Sequence, residues 1–148
     1  MGKFTDRLRF WKRARTPAWR TRVERDRGAI GRFNDALAQK LAGQVPTQAV
    51  HDLQVAFDEL LTNVVMHAQQ AAGPVEVELQ HDKRKVTATL RYLADEFDPT
   101  TWREESLSMT VAASRIGGLG IALVRRLMDE FRYEYVDGHN VLHLVKRC

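Results

Sequence analysis

The stretch Phe57-Asp58-Glu59-Leu60-Leu61-Thr62-Asn63-Val64-Val65-Met66-His67-Ala68 decides how this chain is read. Together with the residues just before it, it places Val50, Leu53, Phe57, Leu60, Leu61 and Val64 at three- and four-residue intervals. That spacing predicts one apolar face along a helix of about residues 47–70. Glu59, Asn63 and His67 stand at i, i+4 and i+8, within about 80° of one another on a polar stripe beside that face. A carboxylate, an amide and an imidazole on the flank of a buried helix are costly unless they find partners. Two readings stand at this point: an acid/base and metal-binding stripe facing a pocket, or a helix edge where polar groups meet water.

Working toward the N-terminus, Thr47 follows Pro46 as a candidate N-cap, and Gly43 ends a preceding helix. That helix runs from about Asp26 to Leu41, with Ile30, Phe33, Leu37 and Leu41 on its apolar side. Trp19 to Glu24 reads as a short edge strand. Thr16-Pro17 marks a boundary, because the residue before proline avoids helix; it divides a basic arm, residues 1–16, from a domain of residues 17–148.

Toward the C-terminus, Gly73-Pro74 closes the long helix. Two alternating runs, Val75–Leu79 and Val86–Leu90, flank the charged turn His81-Asp82-Lys83-Arg84 and predict a hairpin with one buried face. Residues 95–117 are polar and irregular, as a lid or a disordered loop would be. A third helix is predicted over about Gly120 to Glu130, and the chain closes with Tyr133–Val136, an Asp137-Gly138 turn and Val141–Val145 as a second hairpin. Single-faced helices beside half-polar antiparallel strands define an α+β, two-layer sandwich: a mixed, mostly antiparallel sheet with its helices on one face.

The second constellation is Gly117-Gly118-Leu119-Gly120-Ile121, which opens the third helix straight after the irregular segment. Glycines there let backbone approach a ligand closely, and the N–H groups and positive dipole end of a helix favour phosphate. By itself the run equally well makes a turn. In this order, however, the two stretches resemble paired motifs of one family. Phe57–Ala68 closely resembles the N-box of the histidine-kinase-like ATPases, and Gly117–Val124 resembles their second glycine box. Phe97-Asp98-Pro99, Leu127-Met128-Asp129-Glu130, Tyr133, Gly138, Asn140, Leu142 and Leu144 resemble the anti-sigma-factor serine-kinase branch of that family. The resemblance covers about residues 18–147.

It implies an ATP- or ADP-binding domain that uses Mg²⁺. Carried over, the catalytic base is Glu59 and the magnesium ligand is Asn63, roles that suit a carboxylate and an amide oxygen. Gly117, Gly118 and Gly120 would lie along the phosphates. Arg115 would pair with phosphate oxygens or, more plainly, face solvent. His67 would be a pocket wall. The implied partners are an anti-anti-sigma factor, whose serine is phosphorylated, and a sigma factor held alternately; a homodimer through the sheet side is also implied.

One motif departs from the family. Its first glycine box carries Asp-x-Gly, five and three residues before the Phe-Asp-Pro, and the aspartate accepts a hydrogen bond from the adenine amino group. Here those positions are Tyr92 and Ala94. Asp95 is a candidate nucleotide contact if the loop shifts by three residues, although the alternation of the strand argues against that register. A tyrosine can stack on a base, hydrogen-bond through its hydroxyl, or fill the pocket. Two functions therefore stand side by side: an active serine kinase, and a degenerate, non-catalytic protein-binding regulator on the same fold with weakened nucleotide binding. A sensor-kinase catalytic domain is a third, opposed by the lack of room in 148 residues for a phospho-acceptor helix pair.

Composition narrows the setting. The chain has 44% hydrophobic residues and a net charge of +4, ordinary for one globular domain. Residues 1–27 hold ten Lys or Arg against three Asp or Glu, so the arm reads as a solvated lead-in or as a contact for an acidic partner, nucleic acid or a membrane surface. Direct nucleic-acid binding is not expected. No apolar run reaches the roughly 18–20 residues needed to span a bilayer. No apolar segment follows the basic start, and Cys148 is the single cysteine, so a cytoplasmic, reducing setting is expected.

Overall fold

The computed structural model describes residues 18–68, 73–101 and 118–148. The basic arm, its Thr16-Pro17 boundary, most of the predicted lid, Arg115 and Gly117 lie outside the described residues. The described elements are β1 (Trp19–Val23), α1 (Arg27–Leu41), α2 (Thr47–His67), β2 (Val75–His81), β3 (Lys85–Leu93), a 3₁₀ turn (Pro99–Thr101), α3 (Gly118–Leu127), β4 (Glu130–Val136) and β5 (His139–Arg147).

The strands form one sheet in the order β1-β2-β3-β5-β4, and every ladder in it is antiparallel. Alternation along each strand turns Val75, Val77 and Leu79 of β2, Val86, Ala88, Leu90 and Tyr92 of β3, and Leu142 and Leu144 of β5 into the core. The three helices cover that face. Their contribution is the set that the spacing predicts: Ile30, Phe33, Leu37 and Leu41 from α1, and Val50, Leu53, Phe57, Leu60, Leu61 and Val64 from α2, all buried. Each fully buried Leu or Phe is worth roughly 1.5–3 kcal/mol over an exposed one, so this face supplies most of the drive to fold. Phe33 meets Phe57 edge-on at 4.9 Å and lies flat against Trp19 at 5.7 Å, which ties α1 to α2 and to the edge strand β1.

Several boundaries differ from the sequence expectation, among them the end of α2 at His67 and the start of α3 at Gly118. Thr47 is the first helical residue of α2 rather than its cap; Pro46 holds the cap position and makes no side-chain cap bond. A side-chain cap is found instead on α1, where Asp26 Oδ1 accepts from the Ala29 amide at 2.7 Å. The third helix stops at Leu127, three residues short of Glu130, because the Asp129 amide donates to the Val145 carbonyl at 2.8 Å and the chain joins the sheet as β4. The hairpin between β2 and β3 is tighter than the spacing suggests, with Asp82 Oδ1 accepting from the amides of Arg84 and Lys85.

Far along α2 from the polar stripe, Lys146 Nζ lies 3.0 Å from Asp52 Oδ2 and donates to the Leu127 carbonyl at 2.8 Å, pinning α2, the end of α3 and β5 together. Burial pushes the Asp52 carboxyl up, but hydrogen bonds from Lys146 and Gln48 outweigh it and hold the group below its ordinary value. Its folded pKa is thus lower than its unfolded one. The stabilisation is fully present above the free aspartate value of about 3.9 and is lost as pH falls through the folded value. Lys146→Met leaves a nearly buried carboxylate with Gln48 alone, and should cost about 1–3 kcal/mol in urea unfolding at neutral pH. The loss should shrink in acid; a constant loss across pH would rule out the ion pair as its cause.

Candidate functional site

A cavity of about 810 Å³ opens between the C-terminal half of α2, the end of β3 and the β4–β5 turn. Two members of the α2 stripe, Asn63 and His67, line it, as do Tyr92, Ala94 and Asp95. Among the described residues, four of the five exposed large apolar side chains, Met66, Leu93, Phe97 and Tyr135, also lie on its wall. A concave site of this size with apolar walls and a few polar groups suits a small-molecule ligand.

Glu59, the third member of the stripe, points elsewhere. Its carboxylate lies against the backbone of Gly120 in the first turn of α3, and a Cβ built on Gly120 would stand 2.8 Å from the Glu59 carboxyl carbon and closer still to its oxygen. A side chain at 120 would have to push that carboxylate aside. The two sequence motifs therefore meet in space, carboxylate against glycine, across the packed pair α2 and α3. Burial, then the charge of neighbouring Asp58, holds the Glu59 carboxyl above its ordinary range. A carboxylate with a raised pKa is a better proton acceptor. Gly118 begins α3, and the first N–H groups of a helix have no partner within it.

Tyr92 stands inside β3, directly opposite Asn140 of β5, and Asp95 follows beyond the strand end as an exposed residue on the rim. What holds that rim is Asn140, which is fully buried. Its Nδ2 donates to the Asp95 carbonyl at 2.8 Å, and its Oδ1 accepts from the Phe97 amide at 3.0 Å and the Tyr133 hydroxyl at 2.6 Å. Tyr135 Oη donates to the Ala94 carbonyl at 2.9 Å. The β4–β5 turn reaches the rim because Asp137 and Gly138 both take positive φ, 51° and 75°, the pairing a two-residue hairpin turn needs.

Sequence reasoning missed Arg25, which it counted only as charge in the basic N-terminal stretch. All three guanidinium nitrogens donate to backbone carbonyls: Nε to Gly73 at 2.8 Å, Nη1 to Ala68 at 2.6 Å and Nη2 to Leu93 at 2.7 Å. The group also lies 5.8 Å from the centre of the Tyr92 ring. One side chain thus closes the end of α2, the approach to β2 and the end of β3 around the cavity. Burial lowers its pKa, with Tyr92 acting in the opposite direction. No motif carries this signal, since the three acceptors lie 43 to 68 positions away. Arg25→Lys keeps the charge but replaces a planar fork with a point donor. It should lower stability by about 1–3 kcal/mol in thermal or urea unfolding; an unchanged midpoint would mean the three bonds add nothing.

Comparison with known proteins agrees with this geometry. The model of the histidine kinase-like ATPase domain matches residues 22–146, and the chain belongs to that family. Serine-protein kinase RsbW of Listeria innocua is 31% identical over 101 residues, which is 64% of this chain and 64% of that protein. Serine/threonine-protein kinase BtrW of Bordetella bronchiseptica is 30% identical over 94 residues, 62% of this chain and 66% of that protein. The chain thus spans just under two thirds of the length of these curated relatives. Among solved structures, the RsbU and RsbW domains of Rv1364c from Mycobacterium tuberculosis share the fold, with a TM-score of 0.61 at 18% identity over 89% of this chain and 32% of that one. Among the described residues no helix is long and apolar enough to cross a membrane.

Proposed function

We propose that the chain binds Mg-ATP in the cavity beside α2 and acts as a cytoplasmic anti-sigma factor serine kinase. It transfers the γ-phosphate to a serine of an anti-anti-sigma factor and, in the alternate state, holds a sigma factor. The observation that carries this reading is the meeting of Glu59 with the N-terminal turn of α3 at Gly120, while Asn63, one turn along α2, lines the neighbouring cavity. Phosphoryl transfer needs a proton acceptor, a magnesium-binding oxygen and a phosphate-binding helix end close together. The relatives named as serine kinases support the same class.

In this reading Glu59 accepts the proton of the attacking serine hydroxyl, and the Asn63 side-chain oxygen binds magnesium. Gly118 and Gly120, with Gly117 before them, leave backbone N–H groups free for the phosphates. Magnesium would come in with phosphate oxygens and keep waters, as it commonly does; among the described residues no three His, Cys, Asp or Glu side chains cluster to hold a metal without them. When bound, the ion neutralises charge on the phosphates. Arg115 and Asp95 are the further candidate contacts, Arg115 at the phosphates and Asp95 on the rim.

Tyr92 and Ala94 favour a second reading, a protein-binding regulator that has lost nucleotide. Against it, the cavity remains open with the Tyr92 ring in place. Calorimetric titration with Mg-ATP and Mg-ADP separates the two. Micromolar, magnesium-dependent binding is expected, followed by transfer of radiolabelled γ-phosphate to a candidate anti-anti-sigma factor. Absence of binding at millimolar nucleotide would discard the kinase in favour of the regulator.

A further inference from the structure

The base end of the cavity has a chemistry of its own, whose meaning rests on the nucleotide-binding reading. The first turn of α3 lies against Glu59, so phosphates belong toward that part of α2. Tyr92 stands toward the C-terminal end of α2, where Arg25 joins the Ala68 and Leu93 carbonyls beside its ring, and that end is left for the flat, weakly hydrated part of the ligand. Tyr92 lines the cavity and is only 6% exposed.

The type of group matters more than its presence. An ionised carboxylate only accepts hydrogen bonds, so it favours a ring edge carrying an exocyclic amine and repels one carrying a carbonyl oxygen. A phenol rotates about its C–O bond and serves as donor or acceptor. Tyr92 keeps its proton at any physiological pH: burial pushes its pKa up to about 12, with Tyr133 adding to the effect and Arg25 opposing it. Arg25, bonded to three carbonyls, lies by the ring and restrains it.

We infer that Tyr92 makes this pocket tolerant of the purine 6-position, so that guanine nucleotides, with a 6-oxo group, bind about as well as adenine nucleotides, with a 6-amino group. The hydroxyl donates to the first and accepts from the second. Discrimination of a large factor arises only when a site presents a fixed acceptor or donor that the wrong base leaves unpaired.

The test is a side-by-side calorimetric titration of the full chain with Mg-ATP and Mg-GTP, repeated on Tyr92→Asp and Tyr92→Phe, with circular dichroism to check that each variant is folded. The wild-type dissociation constants are expected to agree within about tenfold, and the folded Tyr92→Asp variant to favour ATP by more than about tenfold. Tyr92→Phe, which keeps the ring and removes the hydroxyl, should weaken both nucleotides by a similar factor. A wild-type preference beyond tenfold for either base overturns the inference while leaving the nucleotide reading intact. Binding of neither nucleotide overturns both.

Discussion

Replacing Glu59 with Gln is expected to slow γ-phosphate transfer about a thousandfold while leaving Mg-ATP bound. An amide of the same shape cannot take up the serine proton, and a positioned general base contributes roughly 10²–10⁴ in rate. Stability should move the other way. Burial and Asp58 hold the Glu59 carboxyl above its ordinary range. A folded pKa above the unfolded one means that the protonated form suits the fold, and that the favourable part is lost as pH rises through the folded value. At neutral pH the charged carboxylate is therefore a net cost, which Gln removes, so the variant should melt no lower than the wild type. The same shift places the acid limb of the wild-type rate profile above the free glutamate value of about 4.3. Retained transfer would end the base assignment, and lost ATP binding would show that Glu59 serves the pocket rather than the reaction.

Gly120→Ala should produce nearly the same catalytic loss, about a hundredfold or more, from a residue with no side chain of its own. The added Cβ would overlap the Glu59 carboxylate, with the carboxyl carbon only 2.8 Å away. The obstacle is the far end of a rotatable side chain rather than backbone, so the carboxylate swings aside and the helices stay packed. Alanine also suits a helix interior better than glycine, by up to about 1 kcal/mol. The variant should be as stable as the wild type, measured by thermal unfolding, yet poor in transfer. Combining it with Glu59→Gln should add little further loss, since both changes remove one interaction. Additive effects would mean that Gly120 matters through the phosphates and not through Glu59. A large fall in melting temperature would mean that the backbone, not the carboxylate, gives way.

By itself the sequence determined the elements and the layers. The helical spacing of Leu53, Phe57, Leu60 and Val64, the alternation of Val75, Val77 and Leu79, and the Asp137-Gly138 turn each act over a few residues, where periodicity alone says which side faces the core. It also marked Glu59, Asn63 and the glycine run as motifs in a fixed order. It misplaced the cap of α2 and the end of α3, because a helical pattern and a strand that recruits its first residue compete there, and the Asp129–Val145 bond that settles the matter spans the second hairpin. Only the tertiary structure decided the rest. That Gly120 is bare because Glu59 lies on it, that Asn140 carries the Asp95–Phe97 rim, that Arg25 gathers three carbonyls around the cavity, and that Tyr92 leaves the cavity open are all contacts between residues dozens of positions apart. Packing makes those meetings, and no local pattern of side chains records them.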